Sequence, residues 1–130
     1  ELRGCIGVIV AQDALYKNIM EYAVTAAVKD PRFPPVEAHE LDELELEISA
    51  LGPIERLDDI KKIEVGRHGL IIKKGYHQGL LLPQVPIEWG WDKTQFLEHT
   101  CRKAGLKKNA YKNPETEIYY FTADVFTEHI

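Results

Sequence analysis

Gly69-Leu70-Ile71-Ile72-Lys73-Lys74-Gly75-Tyr76-His77-Gln78-Gly79-Leu80-Leu81-Leu82 is the stretch that decides the fold class. Two strand-like runs, residues 69–74 and 79–82, flank the turn residues 75–78, and glycine with polar residues between two such runs marks a β-hairpin. A hairpin makes antiparallel neighbours, so the sheet is expected to be mainly antiparallel. Downstream, residues 83–91 read as a packed, partly helical connector. Asp92 and Gln95 then stand at capping-box spacing before a helix to Ala104, with Phe96, Leu97, Cys101 and Ala104 facing inward and Gly105 as its stop. The aromatic and β-branched run 117–126 predicts a final strand that closes the sheet.

Upstream of the hairpin, Leu44, Leu46, Ile48 and Ala50 alternate with Glu45, Glu47 and Ser49, which predicts a half-buried strand over 44–50 with one wet face. Short helical turns are expected over 37–42 and 58–63. Residues 30–35, Asp-Pro-Arg-Phe-Pro-Pro, break the chain because each proline lacks an amide donor and biases the residue before it towards extended backbone. Before that breaker, Asp13 is placed to cap a helix running to Val28, with Tyr16, Ile19, Met20, Ala23, Ala26 and Ala27 on one face. The β-branched run at 5–11 predicts a buried strand. Helices and strands in this mixed order give an α+β fold: a mainly antiparallel sheet flanked by helices.

The whole chain is consistent with one domain. It has 130 residues, 45% hydrophobic and 28% charged, enough to bury a core without disulfide staples. Sixteen basic against twenty-one acidic residues leave a net charge of -5, which argues against general nucleic-acid or anionic-membrane binding. The basic cluster Arg102, Lys103, Lys107, Lys108 and Lys112 reads as a solvated helix end. Two cysteines, Cys5 and Cys101, make no disulfide framework and no zinc spacing, so reduced thiols in the cytoplasm are expected and no metal site is predicted. No apolar run approaches membrane-spanning length. The chain begins at Glu1 rather than methionine, and an N-terminal segment is expected to be missing from it.

Chemistry concentrates at Leu2-Arg3-Gly4-Cys5-Ile6-Gly7. Glycines on both sides of a thiol mark a special backbone or the close approach of a ligand, and Arg3 suits a carboxylate or phosphate while favouring a thiolate beside it. Two readings stand. Cys5 is either a nucleophile or ligand contact in an anion-binding site, or a small buried hydrophobe with Arg3 in a surface ion pair. Arg32 and Phe33, on the proline-stiffened loop, suit recognition or simple core packing. His68, between glycines, and His77, at the hairpin turn, are each candidates for the general base to Cys5 or for ordinary polar residues, and His39, His99 and His129 read as ordinary polar residues. Gln84 either orients a ligand or caps the following turn. Glu88 beside Trp89 and Trp91 reads as a desolvated acid or as connector packing. Walker, dinucleotide and nucleophile-elbow motifs are absent.

Taken together, LRGCIG at 2–7, DPRFPP at 30–35, EVGRHGL at 64–70, GLLLPQV at 79–85 and WDKTQF with CRKAG between 91 and 105 resemble the AMMECR-type domain family, in the family's order. GLLLPQV resembles the prokaryotic branch, component A of the AmmeMemoRadiSam set. The resemblance implies an α+β fold with a larger and a smaller lobe around a cleft, and a helical segment before LRGCIG that this chain lacks. It implies a Memo-like protein and a radical SAM enzyme as companions, and supplies no reaction and no cofactor. The expected cleft contains Arg3, Gly4, Cys5, Gly7, Arg32, Phe33, His68 and Gln84, with Cys5 and His68 as catalytic candidates. An unknown small molecule is its expected ligand. Its bearer is either an enzyme-like component or a non-catalytic module that docks a companion protein. Where close relatives tend to carry arginines before GLLLPQV, this chain has Gly75-Tyr76-His77-Gln78.

Overall fold

A computed structural model describes residues 2–7 and 15–129. Its elements in chain order are α1 (Leu15–Val28), a 3-10 helix (Ala38–Glu43), β1 (Glu45–Leu51), β2 (Glu55–Arg56), a 3-10 turn (Ile60–Lys62), β3 (Gly69–Lys74) and β4 (His77–Leu81). α2 (Val85–Trp89), α3 (Lys93–Lys103), a 3-10 turn (Ala110–Lys112), β5 (Glu117–Phe121) and β6 (Ala123–His129) follow. The chain divides into two compact units, residues 1–48 with 125–130, and residues 49–124.

In the second unit a four-stranded antiparallel sheet runs in the order β2-β5-β3-β4. The β3–β4 hairpin is in register from Leu70 opposite Leu81 to Lys74 opposite His77. Its connection is the two residues Gly75-Tyr76, shorter than the expected four, so His77 begins β4 and the fully exposed Tyr76 takes the tip. Asp92 and Gln95 form the reciprocal capping box that starts α3: Gln95 donates its amide to Asp92 Oδ1 at 2.8 Å, and Asp92 donates its amide to Gln95 Oε1 at 3.0 Å.

Phe96, Leu97 and Cys101 of α3 pack with Leu70 and Ile72 of β3 and with Leu57, Ile63 and Ile118 to form the core of this unit. Ala104 is buried as expected. The predicted final strand is two strands, broken at Thr122. β5 does not close the sheet at an edge; it lies between β2 and β3 because it pairs with both. The edge belongs to the two-residue β2, too short to carry any sequence pattern.

In the first unit α1 turns Ile19, Ala23, Ala26 and Ala27 to its half-buried side. Met20, placed on that face by its spacing, is instead 67% exposed, because it shares the i, i+4, i+8 line with the exposed Val24 and Val28. The cap at Asp13 and the side chain of Tyr16 lie outside the described residues. β1 carries the expected alternation as far as Ile48, after which Ser49, Ala50 and Leu51 are all half-buried, and it pairs with β6. The strand expected over 5–11 is not found where it is described: residues 2–7 are irregular, and 8–11 lie outside the described residues. No helix among the described residues is long and apolar enough to cross a membrane.

Candidate functional site

The irregular course of residues 2–7 follows from where the backbone of Cys5 finds its partners. Its amide donates to Asp30 Oδ2 at 2.9 Å and its carbonyl accepts from Arg32 Nη2 at 2.9 Å. Both groups a strand ladder would use are taken by side chains of one loop, just after α1. Pro31 keeps Asp30 out of helical geometry. The Asp30 carboxylate then turns back on its own loop and accepts the Arg32 amide at 3.0 Å.

Asp30 is 3% exposed and accepts four hydrogen bonds: from the Cys5 amide, the Arg32 amide, Arg32 Nε at 3.1 Å and Arg32 Nη2 at 2.8 Å. A buried carboxylate is tolerated only when so fully partnered. Arg32 first, then the Cys5 amide, hold its pKa far below the ordinary carboxylate range. The same pairing raises Arg32 above its usual value.

Arg3 is fixed by the same chemistry. Its Nε and Nη2 reach Glu40 Oε1 and Oε2 at 2.8 and 3.2 Å, a two-point contact with both side chains 23% exposed. Glu40 Oε2 also accepts the Glu37 amide at 2.8 Å. Arg3 foremost, then that amide, lower the Glu40 pKa to about 2. Gly4 lies against α1 so closely that a Cβ there would stand 1.7 Å from the Ala26 carbonyl oxygen. Only glycine permits that approach. A Cβ at Gly7 would meet no atom within 4 Å, so the backbone constraint expected there finds no steric support.

The thiol set in this frame is exposed. That excludes the reading of Cys5 as a small buried hydrophobe, while Arg3 does make the ion pair which that reading included. Arg32 remains 46% exposed, with its guanidinium carbon 5.4 Å from the centre of the half-buried Phe33 ring. Arg3, Gly4, Cys5, Arg32 and Phe33 are thus gathered in one unit. Asp30 and Glu40 hold the group together, although neither stands out by residue type as a site candidate. Asp before Pro-Arg, and Glu40 three residues after Glu37, are the local signals that point to them.

His68 and Gln84 belong to the second unit. His68 is 7% exposed; its Nδ1 accepts the Glu64 amide at 3.0 Å, and its ring meets Tyr120 edge-on at 4.9 Å. Burial first, then Arg67, push its pKa down, so the ring is neutral with its hydrogen on Nε2. Gln84 donates to Ser49 Oγ at 3.3 Å and does not cap α2. Glu88 is exposed, which removes the desolvated-acid reading. Trp91 instead stacks on His99 at 3.8 Å, with Trp89 next at 6.1 Å. Among the described residues no three His, Cys, Asp or Glu side chains converge as a metal site.

The AMMECR1 family model matches residues 1–126, nearly the whole chain. The chain belongs to the AMMECR1 family. An archaeal relative from Thermococcus kodakarensis is 52% identical over 132 residues, and one from Thermococcus gammatolerans is 51% identical over the same length. In each case the match covers 98% of this chain and 64% of the relative. The crystal structure of an uncharacterised protein from Pyrococcus horikoshii superposes with a TM-score of 0.94 at 47% identity, over 97% of this chain and 64% of that one. This AMMECR1-family chain therefore spans just under two thirds of the length of these three relatives.

Proposed function

We propose that residues 2–7 form the site at which this AMMECR1-family protein engages a small anionic molecule, with the Cys5 thiol as nucleophile or direct ligand contact in an enzyme-like component. The observation that carries this reading is an exposed thiol on a backbone pinned at both amide and carbonyl by the Asp30–Arg32 pair. Loops that merely connect elements do not need a buried, four-fold satisfied carboxylate to fix one residue. Arg32 uses Nε and Nη2 on Asp30 and the Cys5 carbonyl, and in this reading its Nη1 receives the incoming anion. Gly4 sets the depth of the loop, Arg3 anchors it through Glu40, and Phe33 supports the guanidinium.

In this reading His68 is not the base for Cys5. Its Nδ1 lone pair faces the Glu64 amide and its Nε2 carries hydrogen, so it acts as a donor within its own unit. A reducing, cytoplasmic setting suits a working thiol. The test is native mass spectrometry of the wild-type protein and of Cys5→Ser, each purified gently from cells. A retained small molecule present on wild type and absent from a folded Cys5→Ser supports the reading, and full cellular function of Cys5→Ser removes it.

One observation favours a second reading, a docking module for a Memo-like protein or a radical SAM enzyme. Both motif arginines already hold in-chain carboxylates, as structural anchors do. Under it, Cys5→Ala leaves complex formation intact while Arg32→Ala or Trp91→Ala abolishes co-purification of the companion.

A further inference from the structure

The turn Glu64–His68 in the second unit is built to present side chains rather than to connect strands. The carbonyl of Glu64 accepts the amides of Arg67 and His68 at 3.1 and 3.0 Å, and its amide returns to His68 Nδ1. Gly66 sits at φ +94°, a conformation that side chains rarely adopt. This closed ring of hydrogen bonds fixes Arg67 and His68 at the wall of an open depression of about 410 Å³, within the size range of small-molecule sites.

The lining combines both signs of charge with aromatic surface: Glu55, Lys62, Arg67, His68, Tyr120 and Phe121. Lys62 and Arg67 carry exposed partners, Asp58 at 2.8 Å and Glu64 at 2.6 Å. Exposed pairs of this kind are weak and exchange readily for a ligand carboxylate. Glu55, on the edge strand β2, adds a carboxylate to the same lining, and no ion pair is seen for it among the described residues. The neutral His68 has its remaining hydrogen on Nε2 and the edge-on Tyr120 ring beside it.

We propose that this depression binds a small aromatic zwitterion of the amino-acid class. Its carboxylate is received by Lys62 and Arg67, its ammonium by Glu55, and its ring by Tyr120, where edge-to-face contact with aromatic neighbours is favoured. A simple anion would leave Glu55 without a counter-ion, and a simple cation would leave Lys62 and Arg67 on their exposed in-chain partners; a ligand with both charges pairs with each sign of the lining. This site stands independently of the role of Cys5.

The test is a proton–nitrogen NMR titration of the whole chain with L-phenylalanine, 3-phenylpropionate, which lacks the ammonium, and phenethylamine, which lacks the carboxylate. L-phenylalanine is expected to give saturable shifts confined to residues 53–56, 62–68 and 120–122, with each single-charge analogue weaker by about tenfold. The exposed substitution Glu55→Gln should leave the spectrum folded and erase the preference for L-phenylalanine over 3-phenylpropionate. Absence of saturable shifts, shifts centred elsewhere, equal binding of the three probes, or an unchanged preference in Glu55→Gln would each overturn the proposal.

Discussion

The backbone amide of Cys5 donates to the carboxylate of Asp30 across 25 residues of sequence, at 2.9 Å. With Arg32 returning a hydrogen bond to the Cys5 carbonyl, one ion pair defines the backbone of the thiol-bearing residue from both sides. Removing the charge of Asp30 should release it. In Asp30→Asn, hydrogen exchange of the Cys5 amide is expected to accelerate by about an order of magnitude. Arg32→Lys keeps the charge but loses the planar fork, and should accelerate it in the same direction. Unchanged exchange in both variants would mean that the clamp does not hold the loop.

Gly4 and Gly7 look equivalent in sequence and are not. A methyl at Gly4 collides with the Ala26 carbonyl, so Gly4→Ala is expected to destabilise the fold by about 1–3 kcal/mol, the usual cost of overpacking. Gly7→Ala meets no atom and should fall within about 0.5 kcal/mol of wild type. Urea denaturation midpoints at constant slope distinguish the two.

Acid should weaken the first unit through Glu40 and Asp30. Glu40 titrates near 2 in the folded chain against 4.5 in the unfolded one, and Asp30 lies below its ordinary 3.8. Between those values the unfolded chain binds the extra protons, so the stabilisation is complete above pH 4.5 and is lost as pH falls towards 2. Thermal midpoints measured across that window should drop steeply for wild type and more gently for Glu40→Gln. An identical slope in the variant would show that the Arg3–Glu40 contact contributes nothing to folding.

His68 has the same sign at higher pH. Its folded pKa lies below the unfolded 6.5, so stability is full above that value and declines as pH drops through it. Nitrogen-15 spectra of the imidazole should show hydrogen on Nε2 at neutral pH and protonation at a pH below the ordinary imidazole value. Hydrogen on Nδ1 would contradict the contact with the Glu64 amide.

What the sequence made legible depended on how local the determining interaction was. The β3–β4 hairpin and the Asp92–Gln95 cap are specified within a few residues, and both are present as expected, the hairpin with a turn two residues shorter. β5 became central rather than an edge because its partners lie 63 to 65 residues away in β2 and 44 to 52 residues away in β3, and no local pattern encodes that choice. Residues 5–7 read as strand from their side chains, yet Asp30 and Arg32 take the backbone groups that a ladder would need. The site followed the same rule. Cys5, Arg3 and Arg32 stood out by type, whereas the hold of Asp30 on Cys5 and of Glu40 on Arg3 spans 25 and 37 residues, beyond what their local turn and capping signals encode.

The presentation of Cys5 as a working thiol is tested most directly by alkylating the native protein with iodoacetamide at neutral pH and mapping both cysteines by mass spectrometry. Cys101 is fully buried among core side chains, and that burial pushes its thiol pKa up, so it serves as an internal control. Complete modification of Cys5 is predicted, while Cys101 stays unmodified until the chain is unfolded. Protection of Cys5 to the same degree as Cys101 would contradict its role as a presented thiol.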